Sequence, residues 1–315
     1  MNYGHFDREK REYVIERVDV PVSWTNYLGV EDLCAVVNHT AGGYLFYKSP
    51  EHHRITRFRP NGVPMDRPGH YIYLRDDDTG EYWSVSWQPC GGPLEDCRCR
   101  HGLSYSVYEC VRGGINAAQT LFIPRGENVE LWDLSLENAS GRARRLSVYS
   151  YAEFSYHQIP IDNQNFQMSL YCAGSRCEDG IIDYELFYEG ARQFMAASFV
   201  PDGFDCLRDS FLGPYRTEDN PLAVERGECF SSFEKGNNHC AVLQKRLTLA
   251  PGEKTRLEWM LGEGGLDEGR RVREKYSDLS AVDAALADLG RFWEEKLSKL
   301  QISTPDPDMD VMLNT

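Results

Sequence analysis

From about residue 40 to residue 262 the chain alternates apolar and polar side chains, and a period of two is the mark of strands that turn one face to a core. In VELWDLSLEN (129–138), Trp132, Leu134 and Leu136 share a face. In ARRLSVYSYAEF (143–154), Leu146, Val148, Ala152 and Phe154 share one while Tyr149 and Tyr151 take the other. The intervening ENASGRA predicts a hairpin connection. APGEK (250–254) predicts another between QKRLTL and TRLEWML, where Leu257, Trp259 and Leu261 line one side. Many antiparallel strands with little helical periodicity predict a sandwich of two large sheets. At 315 residues the chain exceeds the usual size of one domain, so one large domain with an appendage is expected.

The pattern changes after Gly265. In the next 35 residues Leu279, Val282, Leu286, Leu289, Trp293, Leu297 and Leu300 recur three or four apart, and Ser280 and Asp283 are spaced like a capping box. This predicts a helical appendage whose apolar stripe needs a partner, either the sandwich or something beyond the chain end. QISTPDPDMDVMLNT then ends the helix with two prolines and starts a new element. The expected organisation is a β-sandwich over 1–265, helical linkers over 266–302, and over 303–315 the truncated start of a further domain.

The balance of 49 acidic against 34 basic residues gives a formal charge of −15, which repels phosphate backbones and anionic membrane surfaces. Neither nucleic acid nor membrane is expected as a partner. MNYGHFDREKREYVIERVDVP lacks the apolar core of a signal peptide, no later stretch reaches the length of a membrane span, and the chain reads as cytoplasmic. In a reducing compartment the ten cysteines are expected as thiols. Asn38-His39-Thr40 and Asn138-Ala139-Ser140 match the glycosylation pattern but are read as turn-forming residues.

Cys97, Cys99 and His101 alternate along one strand, with Cys90 seven residues before Cys97, and their shared face offers soft ligands. The spacing is not that of a zinc ribbon or finger, so structural thiols and a turn-proximal histidine are expected, and no metal. Asp76, Asp77 and Asp78, followed by Thr79-Gly80, lack the alternating ligands of a calcium loop and predict a solvated hairpin tip. No GxSxG elbow, P-loop or HExxH is present. MDRPGHYIYLRDDDTGEYWSVSWQP (65–89) is dense in rings. Tyr71, Tyr73, Tyr82, Trp83 and Trp87, near Arg67 and Arg75, suit either sugar stacking or a core, and composition does not choose between them.

This stretch, with YGHFDREKREYVIERVDVPVSWTNYLG, NHTAGGYLFYKSPEHHRITRFR, CRHGLSY, NFQMSLY and DGFDCLRDSFLGPYRTEDNPLAVERG, resembles the amino-terminal part of the cellobiose phosphorylase family. These are inverting β-glucoside phosphorylases related to cellodextrin and laminaribiose phosphorylases, and the resemblance runs through the whole chain in order. It implies a mainly β fold: a galactose-mutarotase-like super-β-sandwich, linker helices, and then an (α/α)6 barrel with the catalytic acid and phosphate site. The segment in hand is thus expected to hold no catalytic residue and to be inactive alone. Its expected partners are a β-linked glucose di- or oligosaccharide, the barrel and a second subunit, with inorganic phosphate as co-substrate of the longer enzyme and no cofactor. The resemblance also implies an acceptor-side role, reached across a homodimer interface, for a motif reading NFQR in the family. Here it reads Asn165-Phe166-Gln167-Met168. Gln167 carries over, Asn165 lies beside it, and Met168 replaces the arginine, which puts acceptor choice in question.

Two other classes compete. A free-standing mutarotase-like epimerase would draw its acid from His39, His70, His101 or His157 with a glutamate base, and a carbohydrate-binding module would need an exposed aromatic platform.

Overall fold

The computed structural model describes all residues except 1–2, 60–65, 94–95 and 165–170. Among the described residues, two antiparallel sheets face each other. The eleven-stranded sheet runs from edge to edge through Gly4–Asp7, Glu12–Ile15, Cys97–Gly102, Tyr105–Arg112, Ile115–Phe122, Val129–Asn138, Lys254–Glu263, Ala191–Ala197, Ile181–Leu186, Ala173–Glu178 and Glu234–Lys235. The nine-stranded sheet is organised on one 14-residue strand, Arg144–His157. His239–Leu249 and then Gly203–Leu207 lie on one side of it. On the other side, Tyr71–Asp76 pairs with its first half and Arg54–Thr56 with its last residues.

The alternation read from sequence sets what is buried between the sheets. Trp132 and Trp259 are cross-strand partners, both fully buried, and Leu134, Leu136, Leu257 and Leu261 continue their face. Leu146, Val148, Ala152 and Phe154 meet them from the opposite sheet within one core. Burying rings and branched chains at this density supplies most of the driving force for folding.

The two expected hairpins are instead crossings between sheets. Val129–Asn138 pairs in the eleven-stranded sheet while Arg144–His157 belongs to the other, and His239–Leu249 and Lys254–Glu263 are divided the same way. A period of two records which face is apolar but not which strand is the neighbour, so an arch and a hairpin read alike. Asn138 ties both arches together. Fully buried, it donates from Nδ2 to the carbonyls of Arg142 (2.8 Å), Leu249 (2.9 Å) and Ala250 (3.1 Å), and its Oδ1 accepts from the Ser140 backbone N–H (3.0 Å).

The helices Leu266–Tyr276 and Leu279–Leu297 close the outer face of the eleven-stranded sheet. Leu266, Val272, Tyr276, Val282 and Leu289 pack against Phe122, Val129, Leu131, Phe194 and Met260, so the sandwich is the partner of the apolar stripe. Gly269 permits this approach, since a Cβ there would stand 3.0 Å from Ile181 and 3.2 Å from Phe194. The predicted cap is displaced. Asp278 is the N-cap and accepts from the Ser280 N–H, while Asp283 pairs with Arg256 at 2.7 Å and latches the helix to the sheet. The stripe's far end leaves the sheet: Leu300 is exposed, and the final helix Pro307–Asn314 buries none of its residues.

Candidate functional site

Asn165, Gln167 and Met168 lie outside the described residues. The other sequence candidates fall mostly in the interior. Tyr71, Tyr73 and Trp83 are buried, Tyr82 and Trp87 are half-buried, and Arg67 is engaged with Gln88 and the Pro89 carbonyl. Asp76 is no solvated turn residue. It is buried, takes the Arg144 guanidinium at 2.6 Å and accepts the Asp78 N–H, which outweigh burial and hold its carboxyl below the usual range. Cys97, Cys99 and His101 do share a face, but it points into the core, where His101 is hydrogen-bonded to Ser106 Oγ (2.9 Å) and the Trp24 carbonyl (3.1 Å).

The four histidines considered for epimerase chemistry are all committed internally. His39 bonds the Val18 carbonyl (2.8 Å), His70 packs on Trp132 beside Glu130, and His157 is fully buried. Around His157 a polar chain joins the two sheets. Its Nδ1 meets Glu189 at 2.7 Å and its Nε2 meets the Gln193 amide at 2.9 Å, which assigns a neutral ring protonated at Nδ1. Gln193 continues to Glu263 (3.0 Å), Glu263 to His53 (3.1 Å), and the His53 ring stacks on His157 at 4.1 Å. Burial, then the neighbouring His53, keeps His157 below the usual imidazole range.

His157 ends a row of polar residues, Glu153, Ser155 and His157, spaced two apart at the end of the long strand. Fully buried Glu153 accepts from Tyr151 Oη (2.6 Å) and Arg208 Nε (2.8 Å), and Arg57 lies 3.5 Å away. Burial would raise Glu153, but Arg208, Arg57 and Arg59 outweigh it and bring it down to about 2. Arg57 also reaches Asn238 (2.9 Å) and Asp162 (3.4 Å), and Asp162 accepts the Tyr156 N–H (2.9 Å). The network therefore fastens both the helix Ile159–Gln164 and the insertion that begins at Arg208. Phe211 of that insertion stacks on Tyr151 at 5.2 Å and seals the outer tyrosine face. An ionised carboxylate matched to several guanidiniums is a fastening, not a poised acid. The sequence signal was present in three polar residues at alternate positions of a strand whose opposite face is apolar.

Besides Tyr27 and Tyr215, which are exposed singly, a group of exposed rings comes from elsewhere. Tyr171, Phe187, Tyr188 and Phe233 lie at the far edge of the eleven-stranded sheet, where Phe233 is 64% exposed. A cavity of about 440 Å³ opens there between Phe187 and Phe233, rimmed by Arg176, Asp183, Glu185 and Lys235. Gly174 forms part of its floor, and a Cβ on it would meet the Phe187 ring at 2.8 Å. Apolar walls with a charged rim and a volume in the range of about 300–1,000 Å³ are the properties of small-molecule sites. Sequence reading missed this edge because Phe187 and Phe233 lie 46 residues apart and line one cavity only after the sheet is assembled.

A family model described as the supersandwich domain of glycosyl hydrolase 94 matches residues 11–279. The N,N'-diacetylchitobiose phosphorylases of Vibrio proteolyticus and Vibrio furnissii are each 50% identical to the chain, over 321 and 320 residues, and cover 100% of it. The solabiose phosphorylase of Paenibacillus borealis is 30% identical over 311 residues, 96% of the chain. The chain spans about 40% of the length of each of these relatives. The two facing antiparallel sheets and the match across most of the chain agree, and the chain belongs to glycosyl hydrolase family 94 through its supersandwich domain.

Proposed function

We propose that this chain is the sandwich part of an inverting phosphorylase that acts on disaccharides of β-linked N-acetylglucosamine. The observation that carries the reading is the 50% identity, over the entire chain, to two relatives both named for N,N'-diacetylchitobiose, against 30% for the solabiose enzyme. That contrast favours an N-acetylated sugar over the cellobiose expected from the broader family pattern.

Phosphate is already a strong nucleophile, so phosphorolysis needs one carboxylic acid to protonate the leaving oxygen and a cationic pocket, without the water-activating base of an inverting hydrolase. In this reading the acid and the pocket belong to a following barrel, and the sandwich contributes acceptor-side shape and a contact with a second subunit. The aromatic edge of Tyr171, Phe187 and Phe233 supports a surface that faces another molecule. Glu153 and His157 serve the architecture of the end of the sandwich from which Asp162 is held.

The test uses the protein that carries this chain together with such a barrel. With phosphate and N,N'-diacetylchitobiose it is expected to release N-acetylglucosamine 1-phosphate, at a kcat/KM at least about tenfold above that for cellobiose. This chain alone is expected to release neither sugar phosphate. A preference for cellobiose would overturn the substrate, and turnover by the chain alone would overturn the division of labour.

A further inference from the structure

Cys97 and Cys110 face each other across the hairpin of Cys97–Gly102 and Tyr105–Arg112, with their Sγ atoms 3.2 Å apart. The Val111 N–H donates to the Asp96 carbonyl, which makes Cys97 and Cys110 a non-hydrogen-bonded pair in the antiparallel ladder. At such positions the Cα atoms stand about 4.5 Å apart and the side chains project to the same side, inside the range a disulfide spans. Cys97 and Cys110 are 6% and 4% exposed, and both line a cavity of about 200 Å³ whose wall includes Trp83, Trp87, Asp96 and Arg112, the route by which a small oxidant would reach them.

We infer that Cys97 and Cys110 form a redox-active dithiol that a peroxide converts into a cross-strand disulfide. Cys97 Sγ attacks one peroxide oxygen, the O–O bond breaks, and water leaves as a sulfenic acid forms on Cys97. Cys110 Sγ then attacks that sulfur, the S–O bond breaks, the S–S bond forms, and the oxygen departs as a second water. Two thiols and one hydrogen peroxide give one disulfide and two waters; the sulfurs lose the two electrons that the peroxide oxygens gain.

The other thiols explain the selectivity. The hydrogen bond between the paired sulfurs holds Cys97 below the usual thiol range and pushes Cys110 above it. Burial drives Cys90 up to about 12 and Cys177 to about 11, and it raises Cys34, Cys99, Cys172, Cys206, Cys229 and Cys240 as well. At Cys97 the contact with the partner sulfur opposes the effect of burial, and the resolving partner is already in place.

The test is treatment of the folded chain with hydrogen peroxide, followed by alkylation in denaturant. The chain is expected to lose two of its ten thiols. Digestion with trypsin and Glu-C should then yield a peptide containing Cys97 joined to one containing Cys110, released by dithiothreitol. Emission from Trp83 and Trp87 on the cavity wall should fall on oxidation and recover on reduction. Cys110→Ser should stop at a sulfenic acid on Cys97 that dimedone traps. The mapping of the unsubstituted chain decides if that variant does not fold. No thiol loss, a link through any other cysteine, or oxidation of Cys97 to a sulfinic acid while Cys110 stays free would each overturn the inference.

Discussion

The outer face of the long strand Arg144–His157 and the far edge of the eleven-stranded sheet are both rich in rings, yet they meet water in opposite ways. On the first, Tyr73, Tyr149 and Tyr151 are fully buried beneath Phe211, with the Glu153 ion network beside them. On the second, Tyr171 and Phe233 are each 64% exposed, and nothing among the described residues covers them. Ring density therefore does not distinguish a core from a binding surface. What separates the two is the insertion starting at Arg208, which brings both a lid of apolar side chains and a cation for Glu153.

If the buried face is held by that ion network, removing one cation should produce the largest effect in the molecule. Arg57→Ala leaves Glu153 and Asp162 short of a buried partner, and breaking such a pair from one side costs about 3–5 kcal/mol. Urea unfolding of the variant should show that loss in its midpoint. A loss below about 1 kcal/mol would mean the network is solvated and the contrast between the two regions fails.

The same interior predicts a pH dependence. Burial, and for His239 the nearby Arg57, push His101 and His239 each down to about 4. Histidines of the unfolded chain protonate near 6.5, so this stability is complete above that pH and is lost as pH falls through 6.5 toward 4. The loss is on the order of 3 kcal/mol per histidine, at about 1.4 kcal/mol per pKa unit. Glu153 acts lower: with a folded value of about 2 against about 4.5 in the unfolded chain, its contribution is present above 4.5 and is lost as pH falls toward 2. Unfolding free energies at pH 7.5, 5.5 and 4.5 should therefore decline stepwise, and His239→Asn should remove that one histidine's share of the decline while His39, His101 and His157 keep theirs. A flat profile over that range would show that these rings are hydrated.

How much of this was legible follows from which interactions are local. The faces of Trp132, Leu134 and Leu136, and of Leu257, Trp259 and Leu261, were readable because alternation reports burial residue by residue. The arches at ENASGRA and APGEK were not, because alternation does not name the neighbouring strand and the bonds that hold both arches come from Asn138, whose amide joins carbonyls at 142, 249 and 250. A glycosylation-like triplet gives no sign of that role. Likewise Glu153, Arg57 and Arg208 come from three separate stretches, and nothing near any one of them in sequence marks the other two as partners. The predicted acceptor-side residues Asn165, Gln167 and Met168 fall outside the described residues, but the anchoring of Asp162, three residues before them, is described and was not foreseen.

The exposed edge supplies the smallest effect on stability and the sharpest test of the contrast. Phe233 is 64% exposed and its ring lines an open cavity, so Phe233→Ser should shift the unfolding free energy by no more than about 0.5 kcal/mol. A buried ring truncated on the other face would cost about 3–5 kcal/mol. In a longer protein of the kind proposed, with a barrel after this chain, the same substitution should weaken association with a second subunit or acceptor use while leaving the fold intact. Sedimentation velocity over a range of concentrations and acceptor titrations in the synthetic direction would register either change. A loss of more than about 1 kcal/mol in the isolated chain would show instead that Phe233 is packed against the sandwich, and then the edge would be a second core face rather than a surface kept for another molecule.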